Sequence, residues 1–470
     1  MLPTPQTYSI WPGIIPADKT SQMTIAANER AFLFVDDAQY ELVVISVNSD
    51  ENYYAPHAQK KLNVTAKHGV LTFSYHFSGE QEHTILLNKD AQTIASFCVY
   101  SLYDDLYALS PLKGDLHSHS CRSDGTRDAA AQAGHYREQG YDFVALTDHN
   151  RYYPGGEIDE VYQDVNTGLT RVLGEEVHCP GSVVHIVHIG GKASVAERYV
   201  HDRANYDKEI EEYIKRVPNC IPDLFKDRYA KAMWATDAIH TAGGLAIFPH
   251  PFWRPGSSKT YNVCDEFAKI LLNSGMFDAY ELLGAMSQRD RNRSVALWAD
   301  LRAEGLKIPV VGSSDVHKLD DGSSFPYVFT ICFARENTNE SILEAVKQGN
   351  CVAVETTGDG HTVQHRCYGS LRLVSYAQFL LANFFPTQQR LCAGSGVAMR
   401  AYAMNETSAE LVAQHTALAE NFRNRFFGRN AVSLPSASMM AFEEKWRTVQ
   451  LNGPKTRGSA VDAAPAKHLI

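Results

Sequence analysis

Residues that could carry chemistry are concentrated in the stretch LKGDLHSHSCRSDG, residues 112–125. His117 and His119 are separated by one residue, and Asp124 follows His119 after four intervening residues. Imidazole and carboxylate ligands together suit divalent ions such as Zn²⁺, Mn²⁺ and Fe²⁺. The stretch therefore suggests one part of a metal site whose other ligands come from elsewhere in the chain.

Further histidines and acidic residues occur in later clusters, each of which closes or follows an apolar run typical of a buried strand. These clusters are TDH (147–149), GEEVH (174–178) followed by HIVH (185–188), FPHP (248–251) and SSDVH (313–317). In parallel α/β folds the carboxyl ends of the strands meet on one face, and that face carries the active site. A single histidine of this kind is more often an ordinary loop or core residue, but the whole set predicts a shared site.

The elements that must position these clusters lie in residues 111–360. Apolar runs alternate there with helical patterns, which is typical of βα units and a mostly parallel sheet or barrel. The predicted strands are DFVALT, RVLGEEV, SVVHIVHI, GGLAIFP, FDAYELL and IPVVGSS, and the predicted helices are RDAAAQAGHYREQG, ATDAIHTAG, DRNRSVALWADLRAEG and SILEAVKQGN.

The two flanking regions differ from this α/β centre. Residues 1–110 contain short runs rich in β-branched and aromatic residues, which predict a small β-sandwich-like domain: ERAFLFV, YELVVISV, GVLTFSYHF, HTILLN and TIASFCVY. Residues 361–470 predict a helical extension containing RLVSYAQFLLANFF and SAELVAQHTALAENFRNRFFG. The final stretch, NGPKTRGSAVDAAPAKHLI, is expected to be a disordered tail.

Composition disfavours several classes of protein. The formal net charge of −10 disfavours binding to long nucleic acids, which requires a basic surface. The nine cysteines form no C-x-x-C pair, and neither a signal peptide nor an apolar run long enough to cross a membrane is evident. We therefore expect free thiols and a cytoplasmic protein without a membrane partner; the oligomeric state is left open.

The motifs HSHSCRSD, TDH, FPHP and SSDVH together resemble the polymerase and histidinol phosphatase (PHP) superfamily of metal-dependent phosphoesterases. The resemblance covers roughly residues 111–350. It implies a distorted (β/α)7, TIM-like barrel that holds two or three divalent ions, Mn, Fe or Zn. The metal ligands that it implies are His117, His119, Asp124, His149, Glu176, His188, His250, Asp315 and His317.

Two of these ligand positions have alternative candidates nearby in the sequence. Glu175 and Glu176 are neighbours on a strand and face opposite sides, so only one can point into the barrel; Glu176 fills the family's G-x-E slot. His185 and His188 also face opposite sides. The family ligand precedes a hydrophobic residue and glycine, which favours His188 and leaves His185 as a packing residue or as one that supports a ligand from behind. His178 is expected at the rim.

The resemblance implies hydrolysis of a small phosphate ester, such as a nucleotide, a short oligonucleotide or a sugar or amino-alcohol phosphate, by a hydroxide that bridges the metals. Asp315, His317 and Glu176 are the expected catalytic residues. Arg122, Arg254 and Lys318 adjoin metal motifs and are candidates for binding the substrate. The alternatives are an exonuclease-type phosphodiesterase on short oligonucleotides and a metal-binding module without turnover.

Overall fold

The computed structural model describes residues 7–48, 59–256, 258–319, 324–358 and 363–452. The expected disordered tail lies outside the described residues from position 453 onward. The described part is mixed α/β, with two sheets near the N-terminus, a large central sheet with helices, and a helical C-terminal region.

The N-terminal region forms two sheets around a common apolar core. One sheet has the order β1-β3-β6 and the other the order β2-β8-β7-β4-β5. Ile25 and Leu71 of the first sheet and Leu42, Ile85 and Val99 of the second are fully buried in this core. The strands are β1 (Tyr8–Trp11), β2 (Ile14–Pro16), β3 (Lys19–Ala27), β4 (Gln39–Ser46), β5 (Gln59–Thr65), β6 (Val70–Phe77), β7 (Gln81–Lys89) and β8 (Gln92–Leu102).

One predicted strand, ERAFLFV, is wrong. Residues Arg30–Phe32 form a single turn of 3₁₀ helix, and the chain around it connects β3 to β4. Phe34 is buried, whereas Phe32 and Val35 are 45% and 43% exposed. The run is therefore a connection between β3 and β4 that buries one side chain, Phe34, although its composition is typical of a strand.

The central region contains a ten-stranded sheet of order β15-β14-β13-β12-β11-β10-β9-β16-β17-β18. Its elements, with the short helix that precedes it, are α1 (Asp104–Tyr107), β9 (Ser110–Asp115), α2 (Ala129–Glu138), β10 (Phe143–Leu146), α3 (Gly156–Val161), β11 (Thr170–His178), β12 (His185–Gly190), α4 (Ala196–His201), α5 (Arg203–Arg216), α6 (Lys226–Ala242), β13 (Gly244–Phe248), α7 (Asp265–Asn273), β14 (Ala279–Leu283), α8 (Gln288–Ala303), β15 (Val310–Gly312), β16 (Val328–Ala334), α9 (Asn339–Lys347), β17 (Cys351–Gly358) and β18 (Val363–Tyr368).

Strand direction in this sheet is mixed, although the sequence predicts mostly parallel strands. β9, β10 and β11 are parallel, as are β13, β14 and β15, but β12 is antiparallel to both of its neighbours. β16 is antiparallel to β9 and to β17. The sheet curls until β15 meets β16: the Thr330 hydroxyl accepts from the amide of Gly312 at 3.0 Å and donates to its carbonyl at 2.7 Å. The result is a nearly closed barrel.

The C-terminal region comprises α10 (Leu371–Asn383), α11 (Phe385–Ala403), α12 (Ala409–Phe426) and α13 (Ala437–Asn452). The sequence predicts α10 and α12 but misses α11, because Gly394 and Gly396 lower its helix propensity. Gly396 lies where α11 crosses α2, and a Cβ there would come within 2.4 Å of the Gly134 carbonyl. The glycine therefore permits close helix packing at a cost in local propensity.

Two compositional expectations bear on the described residues. Of the described helices, none is both long enough and apolar enough to cross a bilayer. All nine cysteines are free thiols, as the scattered spacing predicts.

Lys113 lies inside the barrel wall on β9, which is unusual for a charged residue. Its Nζ donates to the Gln139 carbonyl at 3.0 Å and lies 4.3 Å from the ring centre of Tyr141 and 4.5 Å from that of Phe329. Burial lowers the pKa of Lys113 to about 7. An unfolded lysine keeps its proton to about pH 10. Between about pH 7 and pH 10 the unfolded state therefore binds more protons than the folded state.

We expect Lys113→Met to raise the melting temperature at pH 7 and to raise it less at pH 9. Between the folded and unfolded pKa values of Lys113, this group should raise the free energy of unfolding of the wild type by about 1.4 kcal/mol per pH unit. The variant has no titrating group at this position and therefore lacks this increase. Thermal denaturation at both pH values measures the difference, with the exposed Lys208→Met as the matched control. An equal effect of Lys113→Met at both pH values would contradict the prediction.

Candidate metal centre

The histidine and acidic clusters meet at one end of the barrel. His117 and His119 follow β9, His149 follows β10, Glu176 lies near the end of β11, and Asp315 follows β15. The backbone is tightly constrained there, since Asp315 has φ +47° and His250, which follows β13, has φ +22°. Such conformations are costly for residues other than glycine and are characteristic of functional sites.

Glu176 lies at the middle of the cluster and is 1% exposed. Histidine nitrogens surround both of its carboxylate oxygens. The distances are 2.8 Å to His149 Nδ1, 2.9 Å to His185 Nδ1, 3.1 Å to His250 Nε2, 3.4 Å to His117 Nε2, and 3.5 Å to each of His119 Nε2 and His178 Nε2. One carboxylate is thus shared by six imidazoles, as a carboxylate that bridges several ions would be.

Asp315 and Asp124 supply the other two carboxylates. Asp315 Oδ1 is 2.9 Å from His119 Nε2 and 3.4 Å from His117 Nε2. Asp124 lies at the outer side, with its two oxygens 3.4 Å from His149 Nε2 and 3.3 Å from His317 Nε2. The Asp124 side chain is 55% exposed and that of His317 is 33% exposed, so the cluster opens to solvent on this side.

The ligand atoms form four overlapping groups, in each of which all atoms lie within 4.8 Å of one another. These groups are His119, Asp124, His149 and His317; His117, His119 and Asp315; His117, Glu176 and His250; and His149, Glu176 and His178. Shared members are what a centre with more than one ion requires.

His188 does not lie in the cluster, and the sequence-based choice of His188 over His185 does not fit the structure. In the antiparallel pair of β11 and β12, His178 lies opposite His185 and Glu175 lies opposite His188. Directly opposed residues share a face of the sheet, so His185 lies with Glu176 and His188 lies with Glu175. His188 Nδ1 is 3.1 Å from Glu175 Oε1 on the outer face of the barrel.

Glu175 forms hydrogen bonds that stabilise the fold outside the histidine cluster. Its carboxylate also accepts from Ser194 Oγ at 2.7 Å and from the Val195 amide at 2.6 Å, and it is fully buried. It thereby ties β11 to the segment that leads into α4. Of the two adjacent glutamates, only Glu176 faces the histidine cluster, as strand alternation predicts.

Two buried aspartates hold the loops that carry the cluster. Asp115 accepts from the backbone amides of His117 and Ser314 at 3.2 and 3.0 Å, which joins the end of β9 to the end of β15. Burial raises the pKa of Asp115 to about 6. Asp148, the acid of TDH, accepts from the Ser120 amide at 2.8 Å and from the Ser120 hydroxyl at 2.7 Å. Asp148 therefore fixes the H-x-H loop.

Glu281 is a site residue that the sequence analysis missed. It is fully buried on β14, and its Oε2 lies 2.8 Å from His117 Nδ1. A carboxylate bonded to the far nitrogen of an imidazole fixes the tautomer, so that the other nitrogen presents a lone pair. The available signal was a single acid inside the apolar strand AYELL, which is hard to explain by packing.

The donor set fits divalent ions. The ring nitrogens of His149, His178 and His185 that face Glu176 lie within 3.5 Å of its oxygens, yet none of the three makes a hydrogen bond with suitable geometry. Buried nitrogens rarely lack partners. Imidazole and carboxylate groups that point toward an ion between them, and not toward one another, would show such short distances without hydrogen bonds.

Electrostatics at the cluster agree with a cationic occupant. Burial alone would raise the pKa of Glu176, but His117 and the other histidines hold it well below its usual value. Asp315 is also buried, and the same neighbours lower its pKa. Burial lowers the pKa of His119, and that of His185 to about 4, which favours their neutral form. The carboxylates outweigh burial at His117, His149 and His250 and raise the pKa of each, so the cluster without ions favours positive charge at these three positions.

The three predicted substrate-binding residues have different surroundings. Arg122 is half exposed and pairs with Glu157 at 2.5 Å, near the open side of the cluster. Lys318 is exposed beside His317. Arg254 Nη2 lies 3.2 Å from Asp290 Oδ1 and 3.1 Å from the Tyr261 hydroxyl.

No family model and no curated protein matches the sequence. Among solved structures, the chain is similar to a two-domain protein from Bacteroides vulgatus that contains a predicted PHP-like metal-dependent phosphoesterase, with 19% identity and a TM-score of 0.36, covering 52% of this chain and 65% of that one. It is also similar to a candidate metal-dependent phosphoesterase from Bifidobacterium adolescentis, with 18% identity, a TM-score of 0.32, and coverage of 45% and 89%. A third is a sulfate-bound amidohydrolase from Chromobacterium violaceum, with 17% identity, a TM-score of 0.31, and coverage of 45% and 89%. The chain thus spans less than two thirds of the first of these structures.

Proposed function

We propose that this chain is a metal-dependent phosphoesterase that hydrolyses a small phosphate ester. The observation that carries the proposal is the convergence of imidazoles on the Glu176 carboxylate, with the carboxylates of Asp315 and Asp124 against the same histidines. We assign the seven strands β9–β15 to a distorted (β/α)7 barrel of the PHP type, with β16–β18 and the flanking regions added to it. Two or three ions, Mn, Fe or Zn, would occupy the cluster.

The protein ligands that we propose are His117, His119, Asp124, His149, Glu176, His250, Asp315 and His317, with His185 in place of His188 and with His178 added. When bound, divalent ions bring the pKa of water near 7 and offset negative charge on phosphoryl oxygens. With Glu281 included, four carboxylates face the four to six positive charges of two or three ions. Three ions would leave a cationic pocket that attracts a phosphate despite the acidic chain.

The residues of the chain have distinct roles in this proposal. Glu176 and Asp315 would hold the ions, and Glu281 orients His117. The hydroxyls of Ser120 and Ser123 donate to Asp148, Ser123 at 2.6 Å, and these bonds fix the loop that carries His117 and His119. The attacking group in this proposal is water, which bound ions would acidify. Arg122 and Lys318 lie on the open side, where they would gather the phosphoryl group before reaction.

The test is hydrolysis of a panel of phosphate esters by protein that has been treated with a chelator and reloaded separately with Mn²⁺, Fe²⁺ or Zn²⁺. We expect at least one ion to restore turnover of a monoester, and chelation to abolish it. Preferential cleavage of short oligonucleotides would instead identify a phosphodiesterase. Reloaded protein that binds metal but hydrolyses no ester would contradict the proposal and identify a binding module.

A further inference from the structure

A second polar cavity lies at the opposite end of the barrel from the histidine cluster. It has a volume of about 310 Å³ and is lined by residues at the starts of β9 and β10, by the loop after β16, and by α11 and α12. Ser110, at the near end of β9, lines it, whereas His117 lies beyond the far end of that strand. At about 3.3 Å per residue, the two sites are separated by the length of the strand.

Two guanidinium groups in this cavity, one buried and one partly buried, share one buried carboxylate. Arg423 Nη2 donates to Asp142 Oδ2 at 2.7 Å and to Gln388 Oε1 at 2.7 Å. Arg137 is 2% exposed, and its Nη1 lies 3.7 Å from Asp142 Oδ1. The Asp142 carboxylate also accepts hydrogen bonds from the Lys113 backbone amide and from the Gln388 side-chain amide. One carboxylate therefore faces two guanidinium charges in a buried setting, where unpaired charge is costly.

Arg137 also has an unsatisfied donor. Its Nη1 bonds the Tyr141 carbonyl at 3.1 Å, but its Nε is buried and has no hydrogen-bond partner. Gly168 packs against the same side chain: a Cβ there would come 2.6 Å from Arg137 Nη2. Arg137 is therefore an incompletely paired guanidinium in the wall of the cavity.

Two further arginines line the mouth of the cavity. Arg335 is exposed and makes no ion pair within the described ranges. Arg429 Nη2 donates to Ser110 Oγ at 2.7 Å, and burial together with the nearby Arg423 lowers its pKa. Glu336 and Glu420 also line the cavity. Four guanidinium groups thus face three carboxylates, which leaves a surplus of positive charge.

We propose that this cavity binds a small oxoanion of the phosphate class, either inorganic phosphate or the phosphoryl group of a small metabolite. The planar guanidinium fork matches phosphate geometry, and the volume suits a small ligand. Arg137 and Arg335 belong to the central α/β region, whereas Arg423 belongs to α12. A bound anion would therefore bridge the barrel to the C-terminal helices and strengthen their packing.

The test is calorimetric titration of the full chain with inorganic phosphate and, separately, with methylphosphonate as the stand-in for an organic phosphoryl group. We expect one equivalent of saturable binding, in addition to any binding at the histidine cluster, that Arg335→Gln and Arg429→Gln each weaken by about tenfold or more. Arg122→Gln, beside the histidine cluster, is the matched control and should leave this binding intact. Preference for methylphosphonate over phosphate would identify a metabolite, and the reverse preference would identify the free ion.

Two results would overturn the proposal. One is the absence of binding of either anion at about 10 mM by the wild type. The other is binding that survives both Arg335→Gln and Arg429→Gln but is lost in Arg122→Gln, which would place the anion at the histidine cluster. Because Arg335 is exposed, its replacement should not prevent folding, and circular dichroism of each variant verifies this. Neither result bears on whether the cluster hydrolyses esters.

Discussion

Glu176→Gln is expected to remove bound metal and to abolish ester hydrolysis. Six imidazole nitrogens lie within 3.5 Å of the Glu176 oxygens. The amide of glutamine would remove one negative charge from the site. It would also direct an N–H group at imidazole nitrogens whose lone pairs are needed to bind a cation. Metal content measured by plasma mass spectrometry, together with turnover of the best ester in the panel, gives the result.

Glu175→Gln is the matched control, because it makes the same change at the neighbouring, equally buried position. Glu175 accepts from Ser194, Val195 and His188 on the outer face of the barrel. Its replacement should lower the melting temperature while leaving metal stoichiometry unchanged. Normal metal content in Glu176→Gln, with loss in Glu175→Gln, would show that the cluster is not the metal centre.

The strand-end positions of the cluster could be predicted from sequence because they depend on short-range patterns. Apolar runs closed by TDH, FPHP and SSDVH place His149, His250 and Asp315 at the ends of β10, β13 and β15. Alternation along β11 likewise separates Glu175 from Glu176. Each of these inferences requires only the period of one strand, and none requires knowledge of which strands pair.

The position of His185 could not be predicted in this way because it depends on pairing between strands. The predicted sheet is mostly parallel, and that prediction provides no hairpin register between β11 and β12. The two strands are in fact antiparallel, and residues 179–184 connect His178 to His185. A hairpin with these two histidines opposite each other would have placed His185 on the face of Glu176.

Long-range partners account for the other omissions. Glu281 is distant in sequence from His117, and only the folded sheet brings the two side chains to 2.8 Å. Gly396 in α11 suggests a loop until its contact with Gly134 of α2 is seen. Arg137 and Arg423 likewise share Asp142 only because α12 packs on the barrel. Local propensity carries no information about such contacts.

Asp315→Asn is expected to lower kcat by about 10³-fold while changing KM much less. Asp315 lies 2.9 Å from His119 and 3.4 Å from His117, inside the ligand cluster. A carboxylate there tunes the charge that stabilises the transition state, and such an interaction acts on kcat more than on ground-state binding. Steady-state kinetics on metal-reconstituted protein measure both constants.

Two comparisons make this prediction specific. Asp278 also pairs with a histidine, His240 at 2.8 Å, but it precedes β14 and so lies at the other end of that strand from the cluster. Asp278→Asn should therefore leave kcat unchanged. Arg122→Ala and Lys318→Ala should raise KM with little effect on kcat, because these side chains lie on the open side and would act by attracting the phosphate. An Asp315→Asn protein that retains metal and near-normal kcat would remove this carboxylate from the mechanism, and the phosphoesterase proposal would lose the residue on which its chemistry most depends.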